Sequence, residues 1–142
     1  MKTLLVYTDG GARGNPGPAA VGIVVKSETG QILQKLSRRI GETTNNTAEY
    51  QAVVEALTYL NKRKRDIPNE NISVCQFHLD SVVVVNQVNG LYKVKEAHLR
   101  ELLLKVRILE QELGWKITYK QIPRTRNWEA DALVNEALDD RR

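Results

Sequence analysis

Two apolar, β-branched runs, Thr3 to Asp9 and Ile72 to Leu79, each lead into an aspartate, Asp9 and Asp80. Runs of this composition read as buried strands. Asp9 alone could form a turn, since Gly10-Gly11 follows it, and Asp80 alone could cap a helix opened by Ser81. Taken together, they predict two central strands that deliver carboxylates to the same sheet edge, where open α/β sheets place their ligands. The remaining pattern fits such a sheet. A Gly/Pro loop through Pro18 is followed by strand-like runs at 20–26 and 31–39, turned at Glu28-Thr29-Gly30. From Thr47 to Arg65, Tyr50, Val53, Leu57 and Leu60 recur at helical spacing. A short helix is predicted over 81–88, stopping at Asn89-Gly90, and a longer one over 96–113, closed by Gly114. Residues 115–122 alternate as a strand, and Asn127 is placed to cap a last helix ending near Leu138, with a frayed tail at Arg141-Arg142. The order β-β-β-α-β-α-α-β-α predicts an α/β fold with a mixed sheet.

With 42% hydrophobic and 27% charged residues among 142, the chain can build an ordinary core as one domain over 1–142. No apolar run reaches the roughly 18 residues of a membrane span, and the N-terminus turns polar too early for a signal peptide. The single cysteine, Cys75, forms no internal bridge and reads as a small buried hydrophobe. A reduced, cytoplasmic location is the expectation. The net charge of +4 favours polyanionic partners. Basic residues cluster at Arg38-Arg39, Lys62 to Arg65, Lys93 with Lys95, and Arg124 with Arg126, although such clusters also solvate helix ends.

Two further acids sit where acids are costly. Glu49 has Ala52, Val53, Ala56 and Leu60 as its helical neighbours, and Asp131 shares a stripe with Val134 and Leu138. A first-turn acid gains about 0.3–1 kcal/mol from the helix dipole, but it would gain as much on the solvent face. Setting an ionised carboxylate against apolar surface costs several kcal/mol unless it is paired or metal-bound. Oxygen donors without a Cys/His pair at ligand spacing point to Mg²⁺ rather than zinc. His78 and His98 read as structural, and Trp115 and Trp128 as core or staple residues. The glycine loop is no nucleotide fingerprint, because Pro16 and Pro18 stand where a helix should begin.

The segments YTDGGARGNPGP, TTNNTAEYQAVVEAL, HLDSVVVVNQVNG and IPRTRNWEADALVNEAL together resemble the ribonuclease H type 1 family in order and spacing, across essentially the whole chain. The resemblance implies a ribonuclease H-like fold: a five-stranded mixed sheet, three strands antiparallel and two parallel, flanked by helices. It also implies endonucleolytic cutting of the RNA strand of RNA–DNA hybrids with two Mg²⁺ ions, Mn²⁺ substituting. Asp9 would bridge both ions, Asp131 would help hold the one that activates water, and Glu49 and Asp80 the one facing the leaving oxygen. The products would carry 5′-phosphate and 3′-hydroxyl ends. Gly10, Gly11, Arg13 and Asn45 match the RNA-facing side, and Asn15, Thr44 and Thr47 a DNA-phosphate pocket. Asn46 joins them as a polar contact, with Thr44 or Asn46 serving instead as the helix cap. Double-stranded RNA is a second candidate duplex, and the expected state is a monomer without membrane contact.

Three departures bear on this expectation. Val82 stands where the family carries Gln. The loop before the last helix has Arg124 and Arg126 but no His, which makes Arg124 the candidate for that position. Residues 90–96 are too few for the basic protrusion of some relatives. The rival expectation is a non-catalytic module of the same fold that binds hybrid or double-stranded RNA.

Overall fold

A computed structural model describes residues 2–140; the tail at Arg141-Arg142 lies outside the described residues. Five strands and four helices follow one another as β1 (Lys2–Ala12), β2 (Gly17–Ser27), β3 (Ile32–Thr43), α1 (Asn45–Asp66), β4 (Ile72–Leu79), α2 (Val82–Val88), α3 (Ala97–Leu113), β5 (Lys116–Gln121) and α4 (Trp128–Asp139). A short 3₁₀ turn at Arg124–Arg126 precedes α4. The sheet order is β3-β2-β1-β4-β5. β1 to β3 pair antiparallel, and β4 and β5 continue parallel to β1, which is the mixed sheet expected.

One boundary differs in a way that matters. Gly10-Gly11 does not turn the chain. β1 continues through both glycines to Ala12, pairing Gly10 with Val21 and Gly11 with Ala20, because ladder hydrogen bonds need only backbone groups. The turn falls later, ahead of Gly17.

The larger core lies between the sheet and α1, α2 and α3, with Tyr50, Leu57, Leu60, Phe77, Leu79 and Leu113 fully buried. Burying each such side chain contributes about 1.5–3 kcal/mol. On the opposite face α4 packs Val134, Ala137 and Leu138 over Ala20. Two glycines let the helices settle this closely. A side-chain carbon at Gly10 would lie 2.1 Å from the Ala48 carbonyl oxygen of α1, and one at Gly22 would lie 2.2 Å from the Ala130 carbonyl oxygen of α4. No real side chain fits there, so these glycines set the height of both acid-bearing helices above the sheet.

Cys75 is buried as expected. His98 is exposed, and His78 is half-buried and stacked on Tyr7 at 4.6 Å. Trp115 packs against the core, but Trp128 is 64% exposed, contrary to the core or staple reading. Ala130, Val134 and Ala137 occupy the buried stripe of α4, and residue 128 falls on the opposite side of the helix. Among the described residues no helix is long and apolar enough to cross a membrane.

Candidate active site

β1 and β4 run parallel with Tyr7 opposite His78, so Asp9 and Asp80 emerge at the same sheet edge. Contrary to the first-turn placement expected from the sequence, α1 begins at Asn45 and its second turn sets Glu49 on that edge, over Gly10. Thr44, not Asn46, is the N-cap residue of this helix: its hydroxyl accepts from the Thr47 amide at 3.2 Å. One carboxylate oxygen from each of Asp9, Glu49 and Asp80 lies within 4.8 Å of the other two. Asp9 and Glu49 are only 7% and 5% exposed. Asp131 stands at the rim of the same cleft, outside that tight set, with its side chain 32% exposed and the Arg124 guanidinium 3.7 Å away.

Such crowding disfavours ionisation. Burial pushes the Asp9 carboxyl up to about 7; the adjoining Glu49 side chain opposes this, and the charges of Asp80 and Asp131 add to it. Burial also raises Glu49 well above the usual carboxylate range, helped by its contact with Asp9 and opposed by the Gly10 amide, which donates to Glu49 Oε1 at 2.8 Å. The other oxygen, Glu49 Oε2, is buried with no hydrogen-bond partner. An orphaned buried carboxylate oxygen beside two further acids is a set of hard oxygen donors fit for a divalent cation. These residues therefore fit a divalent cation, without distinguishing which one.

The cleft, about 330 Å³, is also lined by Gly10, Gly11, Arg13, Asn45, Asn46, Ser81, Arg124 and Asn135. Several predicted substrate residues hold one another. Asn45 Oδ1 accepts from the Ala12 amide at 2.9 Å, and the Asn45 amide donates to Asn15 Oδ1 at 2.9 Å, so the loop after β1 is pinned to the start of α1. Thr44 donates to the Thr47 hydroxyl at 3.0 Å. Arg13 pairs with Asp139 at 2.7 Å, and the Gly10 amide is taken by Glu49. Asn46 is exposed on the cleft wall.

Parts of two basic clusters prove architectural. Arg39 donates to the carbonyls of Ala137, Leu138 and Asp140 at 2.8, 2.9 and 2.6 Å, closing the C-terminus of α4, and Arg38 pairs with Glu55. Arg63 pairs with Glu70, and Lys64 donates to the Leu113 carbonyl at 2.6 Å. Lys93, Lys95, Arg124 and Arg126 remain exposed. A hollow of about 500 Å³ opens elsewhere, beside Lys2, Glu28, Arg63 and Glu70; among the described residues no metal-holding acid cluster lines it.

One cleft residue, Asn135, and one buried neighbour of Asp80, Asn127, escaped the sequence reading. Asn135 donates to Asp131 Oδ2 at 3.4 Å, and its i+4 spacing on a helix could have shown it. Asn127 was legible only as a cap. It holds the cap position without a side-chain cap bond and instead reaches Asp80 and β1.

A family model described as reverse transcriptase-like matches residues 7–137. Ribonuclease HI of Halobacterium salinarum is 41% identical over 135 residues, covering 94% of this chain and 63% of the relative. A bifunctional protein of Mycobacterium tuberculosis is 35% identical over 137 residues, and the chain spans only 35% of its length. Among solved structures, LC11-RNase H1, isolated from compost by a metagenomic approach, superposes with a TM-score of 0.89 at 43% identity, covering 98% of this chain and 97% of the other. That protein has also been solved in complex with an RNA/DNA hybrid, and this structure matches with the same TM-score over 96% of each chain.

Proposed function

This chain belongs to the ribonuclease H family, and from that premise we propose that it is an endonuclease for the RNA strand of RNA–DNA hybrids. The observation that carries the reading is the convergence of Asp9, Glu49 and Asp80 with one buried oxygen unpaired, at the floor of a cleft open to a duplex. Asp9, Glu49, Asp80 and Asp131 would hold two divalent cations, Mg²⁺ or Mn²⁺, with Asp9 shared between them. When bound, such ions supply Lewis-acid chemistry, activating water and stabilising charge on the departing 3′-oxygen.

The chain's own residues do the rest. Burial of Asp9 and Glu49 keeps bulk water from competing for their oxygens and strengthens every electrostatic contact at the scissile phosphate. Asn45, Asn46 and the backbone of Gly11 line the wall that would face 2′-hydroxyls and minor-groove edges. Thr44, Thr47 and Asn15 would grip the DNA phosphates. A guanidinium offers only N–H donors and no acceptor atom, so Arg124 is not the group that takes a proton from water. Beside Asp131, its work is to draw phosphate in and to steady the cut strand as it leaves. Hydrolysis would then leave 5′-phosphate and 3′-hydroxyl ends.

The test uses internally labelled hybrid, double-stranded RNA and double-stranded DNA, each with Mg²⁺, Mn²⁺ or EDTA. Internal fragments from the RNA of the hybrid, absent in EDTA and reduced to background by Asp9→Asn with hybrid binding retained, are expected. Tight hybrid binding with no cutting under either metal would leave a binding module instead. Mononucleotide products would make the enzyme an exonuclease.

A further inference from the structure

Asn127 is 1% exposed, at the junction between the 3₁₀ turn and α4. Its Nδ2 lies 2.8 Å from the Thr8 carbonyl oxygen and 3.1 Å from Asp80 Oδ2. A carbonyl oxygen only accepts, so the atom facing Thr8 must be the amide nitrogen, and the second N–H is then aimed at Asp80. The backbone of the same residue donates to the Arg124 carbonyl and accepts from the Asp131 amide, each at 3.0 Å. One residue thus touches the strand position preceding Asp9, the carboxylate after β4, the Arg124 turn and the first turn that carries Asp131.

We propose that Asn127 is a positioning residue for the metal centre: its amide locks Asp80 to the end of β1, in the relation that lets Asp9, Glu49 and Asp80 converge. A purely stabilising role accounts for less of the geometry. Asn127 Oδ1 is itself buried without a partner, a desolvation penalty that an apolar residue of the same shape would avoid. What the amide alone provides is a forked donor that reaches a backbone carbonyl and a ligand carboxylate at once. Outer partners of this kind fix the direction of a ligand's lone pairs and so set metal affinity.

The inference rests on the metal-holding reading of the acid cluster, and the two fail differently. Mn²⁺ is titrated by calorimetry into the wild-type protein, Asn127→Ala and Asn127→Leu, without nucleic acid, alongside melting in EDTA and hybrid binding in EDTA. Asn127→Leu keeps the side chain's branched skeleton and carries the measurement should the alanine variant fail to fold. The expected result is Mn²⁺ affinity weaker by about 10- to 100-fold in the folded variants, with hybrid binding in EDTA within twofold of wild type. Melting falls under either account of Asn127, so it decides nothing alone. Variants that fold and bind Mn²⁺ as tightly as wild type overturn the inference and leave the acid cluster intact as a metal site. A wild-type protein that takes up no Mn²⁺ overturns the metal reading, and this inference with it.

Discussion

At the scale of single residues, the acid cluster makes stability depend on pH in an unusual direction. Burial lifts Asp9 from its ordinary 3.8 to about 7, so the metal-free fold holds this proton more tightly than the unfolded chain does. The resulting stabilisation is complete below pH 3.8 and is lost as pH rises through about 7; Glu49, also raised, acts in the same sense. Each tenfold change in proton affinity is worth about 1.4 kcal/mol, so Asp9 can account for up to roughly 4 kcal/mol. In EDTA, melting temperature is therefore expected to fall between about pH 4 and pH 7. Asp9→Asn flattens that decline, and Mg²⁺ restores the high-pH arm; a metal-free profile that stays level would contradict the burial argument. Val82, exposed one position beyond Ser81, offers a second test. Val82→Gln returns the amide found in the family at this place and should tighten hybrid binding by about 0.5–1.5 kcal/mol, read as a lower KM with kcat unchanged.

At the scale of elements, the geometry of the acid cluster depends on how deeply two helices sit. A methyl group at Gly22 would meet the Ala130 carbonyl oxygen at 2.2 Å and Leu133 Cβ at 2.9 Å, so Gly22→Ala must lift α4 and carry Asp131 with it. The expected cost is about 1–3 kcal/mol of stability, with cleavage falling by more than the folded fraction does. Cleavage per folded molecule equal to wild type would show that the seat of α4 is uncritical. The basic pair on β3 gives a contrasting case. Arg39 is spent on three carbonyls at the end of α4, so Arg39→Ala should lower stability by roughly 1–2 kcal/mol yet leave the salt dependence of hybrid binding unchanged. A shallower salt dependence in that variant would return Arg39 to the nucleic-acid surface. Element types and order were legible because hydrophobic period is a local property. The overrun of β1 through Gly10-Gly11 was not, because it depends on β2 lying alongside.

For the whole molecule, a net charge of +4 is modest, and the structure occupies part of it internally. Lys62, Arg65, Lys93, Lys95, Arg124 and Arg126 are exposed members of the four sequence clusters; Arg65 touches only its neighbour Asp66 at 3.9 Å, and Arg124 contacts Asp131. About four phosphate contacts would make the logarithm of hybrid affinity fall with the logarithm of salt at a slope of roughly −3 to −4. Replacing Lys93 and Lys95 by alanine should reduce that slope by about one for each lysine in contact. The amino-acid sequence by itself determined the strand and helix types, their order, and the identity of the acids, because the penalty for placing Glu49 on an apolar stripe is written in its own helical neighbours. Only the tertiary structure decided that Asp9, Glu49 and Asp80 close into a tight set while Asp131 waits at the rim. It alone turned Asn127 from cap to clamp, assigned Arg39 and Lys64 to helix ends, and left Trp128 in solvent. Those outcomes rest on distances between residues as far apart in the chain as Thr8 and Asn127, and such distances are set by helix seating on the sheet, which no local pattern encodes.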